Sequence, residues 1–181
     1  MIDAQRAWRI LREADLVCDE TLARAAVERL AADITARLQA AMPLVLCVMG
    51  GGVVFTGQLL PRLRFPLELD YIHVTRYAGD TRGGEIQWKV EPRSSVRERV
   101  VLVVDDVLDE GRTLAAVRER LLREGAKEAL IAVFCEKDLG RAKPVRADFV
   151  GVVLPNRYLF GFGMDVNGAW RNLPAVYAVK D

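Results

Sequence analysis

The chain is poor in the residues from which metal centres and disulfide frameworks are made: among its 181 residues are one histidine, His73, and three cysteines, Cys18, Cys47 and Cys135. Their separation excludes a zinc site. An odd number of cysteines, two of them inside apolar segments, points to buried thiols in a reducing compartment. Charge of one sign is lacking too: 26 Lys and Arg against 25 Asp and Glu leave a net charge of +1. The charges are interspersed and form no basic stripe, which argues against a nucleic-acid partner. No apolar run reaches the roughly 18 residues of a membrane-spanning helix, and the N-terminal segment, with its acids and arginines, does not read as a signal peptide. The expectation is a cytoplasmic protein with no membrane partner. A P-loop and an early G-x-G-x-x-G fingerprint are both missing, and there are no repeats, low-complexity tracts or long linkers.

What the chain does have is apolar residues, 51% of the total, enough for one well-buried domain and too few residues for two ordinary ones. Ala4 to Glu13 and Thr21 to Ala41 read as helices, the second stopped by Pro43. Strands are predicted near 44–49, 67–76, 85–90, 99–104, 128–134 and 148–153, with helices near 53–62 and 111–124. Strands alternating with helices predict a three-layer α/β fold, mainly a parallel sheet flanked by helices. All 181 residues then form a single domain, with a core over about 44–147. A small hood is built from the N-terminal helices and about 148–181.

The segment Val101-Leu102-Val103-Val104-Asp105-Asp106-Val107-Leu108-Asp109-Glu110-Gly111-Arg112-Thr113-Leu114 carries the densest chemistry. Its first four residues read as a buried parallel strand and Leu114 onward as an amphipathic helix, so the turn between them lies where α/β proteins place ligands. Gly111 permits a positive φ and close backbone approach, and Thr113 is suited to cap the helix. The free N–H groups of the turn then suit a phosphate. Asp105 and Asp106 leave the strand on opposite faces of the pleat, able to meet sugar hydroxyls or a metal carried by a phosphorylated ligand. Asp109 is placed to take a proton from a bound base.

This pattern is similar to the phosphoribosyl-pyrophosphate motif of the type I phosphoribosyltransferases. From about Leu44 to the C-terminus the chain resembles their 6-oxopurine branch, the hypoxanthine-guanine phosphoribosyltransferases. The strand Val45–Met49 ends in Gly50-Gly51-Gly52. In the family this is the pyrophosphate loop, so Met49, Gly50 and Gly51 are expected to hold pyrophosphate, with a strained, sometimes cis, peptide at Met49-Gly50. Many relatives carry Lys or Arg where this chain has Gly50, which puts more of the binding on backbone amides and other basic residues. Leu69 to Tyr77, followed by the polar, glycine-rich Ala78 to Gly84, looks like the catalytic lid, the tip of a hairpin returning through Glu85 to Val90. Arg76 and Tyr77 stand there where the family usually has Ser-Tyr, and Arg76 is a candidate for the charge missing at Gly50.

The resemblance also implies the base site. Lys137, after the strand Ala129 to Cys135, matches the lysine that donates to the purine 6-oxo group. In Asp148 to Asp165, Tyr158 would stack on the purine, Leu159 would supply backbone contacts and Arg157 would orient the ring edge. Asp165 matches the acid near a second Mg²⁺, and Arg171 the arginine on pyrophosphate; Val166 stands where relatives often have tyrosine. From the residues alone, Tyr158 and Phe160 can equally be core aromatics of an edge strand.

The activity so implied is the purine-salvage transfer of ribose 5-phosphate from phosphoribosyl pyrophosphate to N9 of hypoxanthine or guanine, giving IMP or GMP and pyrophosphate. Mg²⁺ is the implied cofactor, with Asp105, Asp106 and Asp165 toward the metal. Asp105 and Asp106 would hold the ribose hydroxyls, and the amides of Asp109, Glu110, Gly111, Arg112 and Thr113 the 5-phosphate. Glu110 stands where relatives often have Thr or Ser; a carboxylate beside a phosphate is expected to turn to solvent. Relatives form dimers and tetramers, so a homodimer or homotetramer is expected. Two alternatives stay open: a sibling enzyme for xanthine or another base, and a non-catalytic regulator of the same fold.

Overall fold

The computed structural model describes residues 2–76 and 86–180. In chain order the elements are α1 (Ala4–Glu13), β1 (Asp15–Cys18), α2 (Glu20–Leu38), β2 (Leu44–Met49), α3 (Gly52–Leu59), a 3₁₀ turn (Leu60–Arg62), β3 (Glu68–Arg76), β4 (Ile86–Val90), β5 (Val100–Leu108), α4 (Arg112–Arg123), β6 (Glu128–Asp138), β7 (Phe149–Pro155), β8 (Leu159–Phe160) and β9 (Val176–Ala178). Six strands form one sheet in the order β4-β3-β2-β5-β6-β7. All its pairings are parallel except that of β4 with β3.

Period-2 alternation on the buried strands divides the core between the two faces. Leu102 and Val104 of β5 join α2 and α3 in one apolar cluster, while Val101 and Val103 join α4 in the other. The helices show the matching 3.6-residue period. Val27, Leu30, Ile34 and Leu38 of α2 are fully buried, as are Val117 and Leu121 of α4. Truncating one such residue, Ile34→Ala for example, costs about 2–5 kcal/mol in lost burial and cavity. Arg118 clamps α4 to the sheet: Nε donates to the Ala129 carbonyl (2.8 Å), and the guanidinium pairs with Asp148, which accepts from Ile131 N–H.

The hood differs from the expected division. β7 pairs with β6 in the main sheet and α2 packs against it, so both belong to the core. The reason is burial: the apolar face of α2 joins residues of α3, β5, β6 and β7 in one cluster. The hood sheet is instead a three-stranded antiparallel one, β1-β9-β8. Its chain-end strands are held together by Arg157, which reaches Asp15 (2.7 Å) and the Val179 carbonyl (2.9 Å). Trp170 Nε1 donates to the Ala7 carbonyl (2.9 Å), and its ring meets Trp8 edge-on with centroids 4.8 Å apart.

Candidate active site

β5 runs longer than predicted, because pairing with β6 continues to Leu108 opposite Glu136. Asp105 and Asp106 therefore sit inside the strand rather than in the loop, and against the expected divergence their carboxyls lie within hydrogen-bond reach of each other. Asp106 is almost fully buried against the glycine loop: a Cβ on Gly51 would lie 2.0 Å from its Oδ2. Asp106 N–H donates to Asp105 Oδ1 (2.9 Å). Burial, and then the charge of Asp106, push the Asp105 carboxyl well above the usual carboxylate range. Burial likewise raises Asp106, opposed by its hydrogen bond with Asp105 and by the Arg171 guanidinium. Among the described residues no group of three or more His, Cys, Asp and Glu converges as a metal cage.

Gly111 has φ +79° and is the N-cap of α4, with no side-chain cap. The expected positive φ is there, but Thr113 lies in the first helical turn instead of capping it, because the left-handed Gly111 already turns the chain. The first-turn N–H groups of α4 open onto a cavity of about 740 Å³. Met49, Gly50 and Gly51 line its other wall, with a cis peptide at Met49-Gly50. Asp105 to Gly111, Thr113 and Arg171 complete the lining, together with His73, Thr75, Arg141 and Asn156. Of the expected lid, Arg76 ends β3 opposite Ile86; Tyr77 and residues through 85 lie outside the described residues.

A second cavity of about 260 Å³ adjoins the first, sharing Asp106, Val107, Asp109 and Arg171 with it. It is lined further by Lys137, Tyr158, Leu159, Met164 and Asp165. Lys137 belongs to β6 itself, which is flanked by strands on both sides and so extends past the predicted end. Its Nζ is 2.9 Å from Asp109 Oδ2, joining the two residues where the cavities meet. Tyr158 is 57% exposed, its ring available to a flat ligand, whereas Phe160 is fully buried and stacked on Tyr177. The core-aromatic reading thus holds for Phe160 and fails for Tyr158. Arg171 donates to the Gly163 carbonyl (2.6 Å) and pairs with Asp165, whose Oδ2 also accepts from Gly168 N–H (2.7 Å).

One expected site residue falls elsewhere, and a second is oriented otherwise than expected. Arg157 lines neither cavity; its guanidinium is drawn to Asp15 in the hood, a partner 142 residues away. Glu110 is not turned wholly to solvent: it lines the larger cavity, 3.4 Å from Arg112 and 3.6 Å from Arg141, whose charges attract it. Sequence reasoning passed over His73, Arg141, Asn156 and Lys143. For His73 a signal existed, since it lies on the same strand as the lid residues, in register with Met49. Of the three thiols, all buried, Cys135 is pushed up to about 12 by burial, which disfavours its thiolate.

A left-handed glycine at a strand-to-helix turn, a facing glycine loop and a paired-acid strand thus meet around one cavity. The chain belongs to the phosphoribosyltransferase family, the phosphoribosyl transferase domain matching residues 18–167. Within it the chain is hypoxanthine-guanine phosphoribosyltransferase-like. It is 33% identical over 156 residues to the hypoxanthine-guanine-xanthine phosphoribosyltransferase of Tritrichomonas foetus, covering 86% of this chain and 85% of that one. It is 33% identical to the hypoxanthine-guanine phosphoribosyltransferase of Lactococcus lactis subsp. lactis, over 81% of this chain and 80% of the other. The hypoxanthine phosphoribosyltransferase structure from Staphylococcus aureus superposes with a TM-score of 0.88 at 25% identity, covering 95% of each chain.

Proposed function

We propose that the protein transfers ribose 5-phosphate from phosphoribosyl pyrophosphate to N9 of hypoxanthine or guanine, in purine salvage, with inversion at C1 and release of pyrophosphate. The observation that carries this reading is the Asp109–Lys137 pair, 2.9 Å apart where the larger cavity, with its phosphate turn, meets the smaller one under Tyr158. One cavity suits the sugar phosphate, the other a flat base, and the pair sits between them.

In this reading the amides of Asp109 to Thr113 hold the 5-phosphate. Those of Met49 to Gly51, with Arg171, hold the pyrophosphate. Asp105 and Asp106 orient the ribose hydroxyls. Tyr158 stacks on the base and Leu159 offers its backbone, while Lys137 donates to the 6-oxo group and fixes the ring's orientation. Asp109 accepts or steers the N7 proton as N9 attacks C1 and the C1–O bond breaks.

The acid pair suits Mg²⁺ of the kind that arrives with a diphosphate, because such an ion takes one or two carboxylates and completes its shell with phosphate oxygens and water. Bound there, Mg²⁺ would neutralise charge on the leaving pyrophosphate. Asp165 already meets Arg171 and Gly168 N–H, so its part is to orient Arg171 beside that charge. The same reading includes a cytoplasmic setting, which fits three free, buried thiols. It also includes a homodimer or homotetramer, favoured by the exposed Val53 on α3 and Leu69 and Tyr71 on β3.

The test is a steady-state assay with phosphoribosyl pyrophosphate and Mg²⁺ against hypoxanthine, guanine, xanthine, adenine and uracil. Nucleotide from hypoxanthine or guanine is the expected product. Turnover confined to xanthine would move the assignment to a sibling enzyme, and no turnover despite tight phosphoribosyl pyrophosphate binding would point to a regulator of the same fold.

A further inference from the structure

Hydrogen bonding between β5 and β6 ends at Leu108 opposite Glu136. Beyond that point β5 bends into the phosphate turn, so no ladder fixes Asp109 relative to Lys137, the two residues on which the base chemistry depends. Lys143, on the β6–β7 connection, lies at this gap. Its side chain is only 6% exposed, and its ammonium has three acceptors: the Leu108 carbonyl at 2.9 Å, the Lys137 carbonyl at 2.6 Å and Glu136 Oε1 at 3.1 Å. An ammonium has three donors and no acceptor, so this set satisfies it fully and makes its burial tolerable. The stem packs beneath the phosphate turn, where a Cβ on Gly111 would be 3.5 Å from Lys143 Cβ.

We propose that Lys143 is a positioning residue that replaces the missing ladder by tying the carbonyls of Leu108 and Lys137 to one ammonium, thereby setting the separation of Asp109 from Lys137. This rests on the reading of Lys137 as the 6-oxo donor given above. A buried side chain spanning the two strand ends does what a further pair of backbone hydrogen bonds would do, at the point where the backbones must diverge to make room for substrate.

The test is a double-mutant cycle on K143M and K137M, read as separate KM values for hypoxanthine and phosphoribosyl pyrophosphate, with Tm recorded for each variant. Lys143→Met is expected to raise the purine KM about tenfold and to leave the phosphoribosyl pyrophosphate KM within about threefold. The double variant is expected to be no more than about threefold worse for purine than K137M alone, since Lys143 then has no ammonium left to place. Additive purine losses, or both KM values rising together with a fall in Tm, would overturn the proposal while leaving Lys137 in the base site. A K137M variant with unchanged purine KM would instead remove the underlying reading, and the proposal with it. Should K143M not fold, K143Q carries the same cycle: its shorter amide reaches one carbonyl, a rise in purine KM of at least about threefold is expected, and no rise overturns the proposal.

Discussion

On the proposed reading Asp109→Asn separates chemistry from binding, because the side chain of Asp109 is assigned to the base and its backbone to the phosphate. The substitution keeps every amide of the turn and the left-handed Gly111 that shapes it, so affinity for phosphoribosyl pyrophosphate should stay within about threefold. The ion pair with Lys137 is lost, but the Asp109 side chain is 47% exposed. Solvent screens only the Asp109 side, since Lys137 is 14% exposed, but the asparagine carbonyl still accepts from the Lys137 ammonium, so the loss is about 1 kcal/mol. For a chain of this size that lowers Tm by no more than about 4 °C. Turnover is another matter. A positioned acid or base contributes about 10²–10⁴-fold, or roughly 3–5 kcal/mol of barrier. The expected result is thus a fall in kcat of at least about a hundredfold beside small changes in substrate affinity and melting. Steady-state kinetics with both substrates varied, together with calorimetric binding of phosphoribosyl pyrophosphate, measures the split. Equal losses in kcat and in that affinity would refute the division of labour.

Gly51→Ala would place a methyl group 2.0 Å from Asp106 Oδ2. With Asp106 buried, the carboxylate must shift, so the KM for phosphoribosyl pyrophosphate should rise about tenfold or more in kinetic assays, while the purine KM changes little; an unchanged value would detach Asp106 from the ribose. Glu110→Thr removes a carboxylate from beside Arg112 and Arg141, and should keep kcat within about twofold and lower the KM for phosphoribosyl pyrophosphate. A collapse of activity would show that Glu110 has a role the phosphate reading does not contain. Asp70 is buried and accepts from the N–H groups of Tyr71 (2.9 Å), Arg93 (2.7 Å) and Ser94 (3.2 Å). Burial alone would raise its carboxyl, but these donors outweigh burial and hold it below the usual range. A lowered folded value means stability that is present above the unfolded value, near 3.9, and lost as pH falls through the folded one. Asp70→Asn should accordingly cost about 2–4 kcal/mol, or about 5–10 °C in Tm at pH 7. The penalty should shrink toward pH 3, and a pH-independent penalty in melting curves would contradict the charge-based account.

The main sheet was legible because its inner strands are apolar runs between turn signals, and burial on both faces leaves such runs little choice of conformation. β1 and β9 were not anticipated, and β8 only as the edge-strand alternative for Tyr158 and Phe160: at four, three and two residues they are too short for alternation to register. They exist because the chain ends meet. Residue pattern singled out the Gly111 turn and the glycine loop, and the family resemblance pointed to Lys137 and Tyr158, all of which line the two cavities. The resemblance misplaced Arg157, whose partner Asp15 is remote in the chain, and the pattern ended β5 and β6 too early, since mutual pairing carries strands through polar residues that local pattern treats as loop. Lys143 left no signal at all. A lysine held by two backbone carbonyls can be recognised only once the strands that own them are side by side.

The hood sheet joins the first strand of the chain to the last, β1 to β9, and Trp170 closes on Ala7 across 163 residues. The Gly111 turn, the acid pair and the glycine loop follow strands of the main sheet or lie on them, whereas the smaller cavity also draws on the hood strand β8. Leu159 cannot be framed until β9 pairs with both β8 and β1. Loosening of the β1–β9 pairing would therefore disturb the frame around Leu159, on the side of the smaller cavity, while the pairing of β5 with β6 stays intact.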